Sequence, residues 1–454
     1  MARESHIEKN IGGDHYPSLV VTKYMGSKKA ILPFVTAELE RLTKPGDIIV
    51  DLMAGTHTIG YAMKRRCRMV ANDIQRYSLV IGQTLLNHNP QQRVENPVRE
   101  AFKRHYLVNL RHLESLFEDA LRMERAFLSP TPSRKIDWGS YRDFCETYPY
   151  YMRPNRPEAS EWDEDFLILF TNQRLEAYRT LNKLEPYSLF SLYYANSYLG
   201  IRQAMEVDSL RYAVDKLCDE WLPQHEEAGY EAFSLRCLLL CALIAVVNRV
   251  NPAPGHWAAF QRVNEKSFPW LKTQRSIPLL GLFLEKVADF ENALAQNESP
   301  YSPHIVMTED YVVFMREVQD YIKNARVVYL DPPYSQGHYS RFYHFIETLV
   351  QYDYPLISHD GRYRMGRHQS PFAHKEKVAA AVGHVAAITR DAGTTLVISY
   401  SHGGIIPDAD AFRNILRQCY PAKKIAVKTL ASIHSKLGQP ERMKTEEYLF
   451  TCRP

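Results

Sequence analysis

The chain has 454 residues, more than one ordinary core accommodates, so two or three structural units are expected. An apolar share of 45% with a charged share of 24% excludes a disordered or fibrous protein. The formal net charge of +4 excludes a globally basic chain, so any nucleic-acid surface must be local.

Residues 1–20 are polar, read as a loose arm, and hold no apolar stretch of the secretory kind. From 47 to 90 the pattern is regular. "DIIVDLMAG" reads as a buried strand, "THTIGYAMKRR" as a helix, "CRMVAND" as a second strand and "RYSLVIGQTLLNH" as a second helix. That alternation predicts an α/β fold with a parallel, doubly wound sheet. The next two hundred or so residues read as mainly helical, with "LVNLRHLESLFEDALRMERAFL" and "AFSLRCLLLCALIAVVNRV" at helical spacing. The Pro-rich, aromatic and acidic stretch 146–166 reads as a long ordered loop. Strands return with "HIVMTED", "RVVYLDPPY", "TTLVISY", "KKIAVKTLA" and "EEYLFTC". The apolar run 237–247 is too short to span a bilayer and reads as a core helix, so no membrane association is expected. Seven dispersed cysteines lack Cys-x-x-Cys spacing, which fits a reducing cytoplasm and suggests no metal site.

Three stretches carry chemistry. In "VDLMAGTHTIG" (50–60) a strand ends on an acid, and Gly55 lets the turn's backbone approach a ligand closely. No G-x-G-x-x-G follows, so a dinucleotide is not indicated. In "MVANDIQ" (69–75) Asp73 ends the second strand about twenty residues on, where a carboxylate can accept from ribose hydroxyls. The two together point to an adenosine compound without a pyrophosphate. In "DPPY" (331–334) Asp331 offers a carboxylate, Pro332 a carbonyl with no amide donor beside it, and Tyr334 a flat face for a base. Carboxylate and carbonyl would each take one hydrogen of an exocyclic amine and aim its lone pair at an electrophile.

With these stretches assembled, the sequence resembles the adenine-specific DNA methyltransferases that use S-adenosylmethionine, in the motif order that includes Dam methylase. The matches are "KYMGSKKAILPFV" (23–35), "DLMAGTHTIG", "NDI" (72–74), "TEDY" (308–311) and "DPPY", with "NRVN" (248–251) weaker. The resemblance implies a Rossmann-like methyltransferase sheet formed by 21–90 plus 300–454, with 91–299 a helical insertion carrying target recognition. It implies that Tyr24, Gly26, Lys28, Asp51, Ala54, Gly55, Thr56, Asp73 and Asp310 bind the cofactor. Asp331, Pro332, Pro333 and Tyr334 would be catalytic. The DNA is assigned Tyr339, Arg249, Asn251 and Arg262, with Lys436 and Arg442 at a basic hairpin tip. His57 stands where the family often has a second glycine; a positive φ there would carry a strain on the order of 1 kcal/mol.

The implied reaction is methyl transfer to the 6-amino group of a flipped adenine in double-stranded DNA, within a restriction-modification or phage-defence system. A monomer is expected, with a cognate restriction nuclease as a further partner. The competing readings are a cytosine 4-amino DNA methyltransferase and a catalytically idle DNA-binding regulator. The acid in the first position of the tetrapeptide counts against the first, and the intact motifs against the second.

Overall fold

The computed structural model describes residues 19, 21–22, 31–129, 137–151, 162–180, 185–221, 228–252, 256–435 and 442–454. The strands anticipated from the sequence form β1 (Ile48–Asp51), β2 (Arg68–Asn72), β3 (Ile305–Met307) and β4 (Val327–Leu330). After a short hairpin of β5 (Ile357–Ser358) and β6 (Tyr363–Arg364) come β7 (Thr395–Ser401), β8 (Ile425–Ser435) and β9 (Arg442–Cys452). Among the described residues one seven-stranded sheet runs β3-β2-β1-β4-β7-β9-β8. Its first five strands are parallel, and β9 and β8 close it antiparallel. This is the mixed α/β, mostly parallel sheet expected of a methyltransferase fold.

Alternate residues along each strand point to opposite faces. Val50, Leu52, Val70, Val328, Leu330, Leu396 and Ile398 join a core under the helices Tyr311–Glu317 and Val378–Asp391. Ile49, Met69, Ala71, Val327, Tyr329 and Val397 face the helices Leu32–Leu42 and Thr58–Met63. The segment after β3 forms two short helices, Tyr311–Glu317 and Gln319–Asn324, with Val318 in a non-helical conformation between them.

Between β2 and β3 the chain is helical, as its spacing suggested. Asn96–Leu116, Ile201–Trp221, Ala228–Val250 and Leu279–Ala295 surround a third core. The helix spanning Gly229–Val250 is long and apolar enough to cross a bilayer, and 78% of its apolar window is buried within the fold. The 146–166 segment is only partly a loop: Glu164–Leu167 is helical, and residues 152–161 lie outside the described residues.

The insertion's core does not stop at the insertion. It includes Tyr77, Ile81 and Leu85, which follow β2, and Tyr343, Phe345, Ile346 and Leu349, which follow the DPPY loop. The indole of Trp257 lies flat on Phe345, ring centroids 3.9 Å apart. The Trp257 amide donates to the Phe342 carbonyl at 2.8 Å.

Candidate active site

All five parallel strands present their carboxyl ends on one edge of the sheet. The order of connection reverses between β1 and β4, the place where α/β sheets open a crevice for ligands. Here lies a cleft of about 1070 Å³, walled by Asp51–Thr56, Asn72–Gln75, Glu309–Tyr311 and Asp331–Pro333. The segment His338–Ser340 with His368 and Ser370 closes its outer side. Six separate pieces of sequence thus meet, among them Ala54, Gly55, Thr56, Asp73, Asp310, Asp331 and Tyr339 from the expected set.

The turn after β1 is built for close approach. Gly55 and His57 both adopt left-handed backbone, at φ 54° and 55°. The positive φ feared for His57 is therefore real, and a side chain accepts it because its ring is buried and anchored. His57 Nε2 lies 3.1 Å from Ser78 Oγ, and that hydroxyl donates to the Gly55 carbonyl at 2.7 Å. Burial drives the imidazole down to about 4, so it stays neutral near pH 7. It lies against Gly82, where an added Cβ would come within 2.5 Å of the ring.

Asp73 fixes this turn from the next strand: Oδ2 accepts from the Gly55 amide at 3.0 Å and Oδ1 from the Gln75 amide at 2.9 Å. Each oxygen keeps a further lone pair for a ligand hydroxyl. Burial pushes Asp73 up to about 6 against the pull of those two amides. Asp51 is buried more completely, and among the described residues its Oδ1 has no hydrogen-bond partner. Burial first, then the charges of Asp331 and Asp73, push it up to about 8.

Asp331 sits one residue beyond β4 and is oriented from β7. Ser399 Oγ donates to its Oδ1 at 2.9 Å and lies 2.9 Å from the Tyr329 hydroxyl. Tyr334 does not line the cleft; its ring is edge-on to Tyr400 at 5.6 Å. Its backbone passes close to Gly404, where a Cβ would approach the Tyr334 carbonyl to 3.0 Å. Asp310 reaches the cleft but spends its carboxylate capping a helix, accepting from the Val312 amide at 2.9 Å.

The other expected residues are not gathered here. Arg249 is exposed at the end of the helix Ala228–Val250. Asn251 is buried and donates to the His256 carbonyl at 3.3 Å, which makes it a brace of its own loop. Arg262 is exposed and pairs with Asp360 at 3.5 Å, beside a second cavity that Tyr150 and Asn196 also line. Tyr24, Gly26, Lys28 and Lys436 lie outside the described residues, as does the side chain of Arg442 at the start of β9.

Two site residues escaped the sequence reading. Ser399 is an ordinary strand serine until β7 is placed beside β4. Glu347, on the helix His344–Gln351, accepts from the amides of Arg76 and Tyr77 at 3.0 and 3.1 Å, fixing the segment that follows Asp73. Its only sequence signal is an acid amid apolar neighbours in "FIETL".

The electrostatics are two-sided. Asp73, Glu309, Asp310 and Asp331 make an acidic interior that disfavours a polyphosphate and favours a cationic nucleoside. The unpartnered Asp51 Oδ1 and the lone pairs left on Asp73 are acceptors such a ligand can use. The residues present therefore fit S-adenosylmethionine.

Comparison with known proteins agrees. Over 389 residues the chain is 22% identical to modification methylase LlaI of Lactococcus lactis subsp. lactis, covering 85% of this chain and 47% of the relative. It is 21% identical over 398 residues to modification methylase StsI of Streptococcus sanguinis, covering 87% and 46%. It is 23% identical over 259 residues to the type II methyltransferase M.FokI of Planomicrobium okeanokoites, covering 56% and 34%. The chain thus spans at most about half the length of these relatives. The family recognised in the motifs is the one whose model the chain matches, D12 class N6 adenine-specific DNA methyltransferase, over residues 24–138.

Proposed function

We propose that this chain is a site-specific DNA methyltransferase that moves a methyl group from S-adenosylmethionine to the 6-amino group of an adenine flipped out of double-stranded DNA. The observation that carries this is the position of Asp331: its carboxylate, oriented by Ser399, faces the same cleft as Asp51 and Asp73. The relatives' names, modification methylases, favour a role in restriction-modification in the cytoplasm, with a nuclease as counterpart. Segments 21–90 and 300–454 form the catalytic part, and 91–299 carries target recognition.

In this reading Asp73 and the backbone at Gly55 hold the nucleoside end of the cofactor, and Ala54 and Thr56 line its path. Asp51 faces the cationic end. Bound S-adenosylmethionine supplies a methyl group on a positively charged sulfur, which needs no further activation. Asp331 accepts one amine hydrogen of the flipped base while the Pro332 carbonyl accepts the other. That orients the nitrogen lone pair toward the methyl carbon. The nitrogen forms its bond to carbon as the carbon–sulfur bond breaks, then sheds its surplus proton through the Asp331 carboxylate to water.

Asp331→Asn keeps the shape of the side chain but removes the acceptor charge. Tritium transfer from labelled cofactor to unmethylated DNA, followed by nucleoside analysis, should show N6-methyladenine with the wild type. The variant should lose at least a hundredfold in rate. Cofactor affinity by calorimetry should change less than threefold. Label on cytosine, or equal loss of both properties, defeats the assignment.

A further inference from the structure

We propose that Arg341, Arg367 and His338 form a phosphate clasp at the mouth of the cleft, holding the DNA backbone beside the base presented to Asp331. The inference rests on the methyltransferase reading and adds to it a set of positioning residues to which the sequence reading gave no role.

The chain "GRYRMGRH" (361–368) places three arginines within six residues, with different fates. Arg362 donates to the carbonyls of Tyr193 and Ala195. Arg364 grips Asp353 with two hydrogen bonds, at 2.6 and 2.7 Å. Arg367 has no such partner: its Nε and Nη1 are buried and, among the described residues, make no hydrogen bond. Its guanidinium lies 5.2 Å from the Tyr363 ring centre, and that of Arg341 lies 5.8 Å from the same centre. Two cations therefore flank one ring, and among the described residues neither forms an ion pair. Nearby, His338 Nδ1 is buried without a partner among the described residues, and the His338 ring is 5.7 Å from that of His374.

Buried guanidinium groups ordinarily find carboxylates or carbonyls, because an unpaired donor out of water is costly. Like-charged donors left without partners beside a ligand cleft are suited to an anion with several acceptor oxygens. The repulsion is registered on the groups themselves. Burial, then His374, Arg367, His368 and Arg341, lower His338, while burial and Arg341 lower Arg367. His338 and His368 stand on the cleft wall, so the anion would sit at its edge. The acidic interior keeps it from moving inward. A flipped nucleotide brings its phosphodiester to that edge when its base enters the cleft.

The test uses the full chain, a fluorescent duplex of mixed sequence and a potassium chloride series. Arg341 is exposed, so Arg341→Gln tests the clasp without risk to the core; Arg367→Gln is the second variant. Each should lower the salt slope of DNA binding by about one and weaken binding about tenfold. Cofactor affinity should be unchanged, and in turnover the KM for DNA should rise with kcat nearly constant. An unchanged slope in both folded variants overturns the clasp. Saturable binding of inorganic phosphate that Arg341→Gln abolishes, with the DNA slope intact, assigns the site to a small anion and also overturns it. Methyl transfer by the wild type, run in parallel, separates the two claims: transfer with an unchanged slope removes the clasp alone. Absent transfer with the expected slopes removes the methyltransferase reading instead.

Discussion

At neutral pH the buried carboxyl of Asp51 keeps its proton, since burial and the facing Asp331 raise it from 3.8 to about 8. A folded value above the unfolded one means that ionising this acid opposes folding: its contribution worsens as pH climbs from about 4 toward 8 and is constant beyond. A cation brought against Asp51 favours the ionised form. We therefore expect S-adenosylmethionine to release protons on binding near pH 7, and its affinity to rise between about pH 6 and about pH 8. Calorimetry in two buffers of different ionisation enthalpy measures the release directly. Asp51→Asn should abolish it; wild-type binding with no proton release would place the cationic end elsewhere. The residues that could be read from sequence were those whose chemistry is local. Gly55, His57 and Asp73 belong to one strand-turn-helix-strand unit, and their hydrogen bonds span 18 to 21 positions. Ser399 reaches Asp331 across 68 positions, and Glu347 reaches Arg76 across 271. No periodicity announces such pairs.

At the scale of elements, the turn entering Thr58–Met63 and the helix Arg76–Gly82 are fitted to each other through one histidine and one missing side chain. An alanine methyl at Gly82 would lie 2.5 Å from the His57 ring and 2.7 Å from Val306 Cγ1. Gly82→Ala should destabilise the protein by about 1–3 kcal/mol in chemical denaturation. His57→Gly relieves the left-handed strain but leaves a void, so alone it too should destabilise. Combined, the two should cost less than their sum, by about 1 kcal/mol. Strict additivity would show that Val306, not His57, sets the limit. The parallel strands were legible because their runs are short and apolar, and β1 and β2 end on Asp51 and Asn72. The β5–β6 hairpin was not: two residues per strand give no alternation to detect, and Arg362 there acts as a tie to Tyr193.

Across the whole molecule, the sheet's last strands are joined to its first helix by one acid. Glu38 is buried and accepts from Arg41 and from Lys428 at 2.6 Å, and from Thr451, 413 positions away, at 2.8 Å. Against the cost of burial, these partners hold Glu38 down to about 2. Because the folded value is depressed, its stabilisation is complete above about pH 4.5 and is lost as pH falls toward 2. Glu38→Gln should lower stability at pH 7 by about 2 kcal/mol and flatten the acid limb of a Tm-against-pH curve over that window. An unaltered acid limb would assign the acid sensitivity to other carboxylates.

The flat contact of Trp257 on Phe345 joins the inserted helices to the segment that leaves the DPPY loop. If the insertion reads the target, recognition and chemistry share one interior and cannot be traded as modules. New sequence preferences would then have to arise at solvent-facing positions, one side chain at a time. A graft of a relative's insertion would first have to reproduce an aromatic interface that has nothing to do with which bases are read.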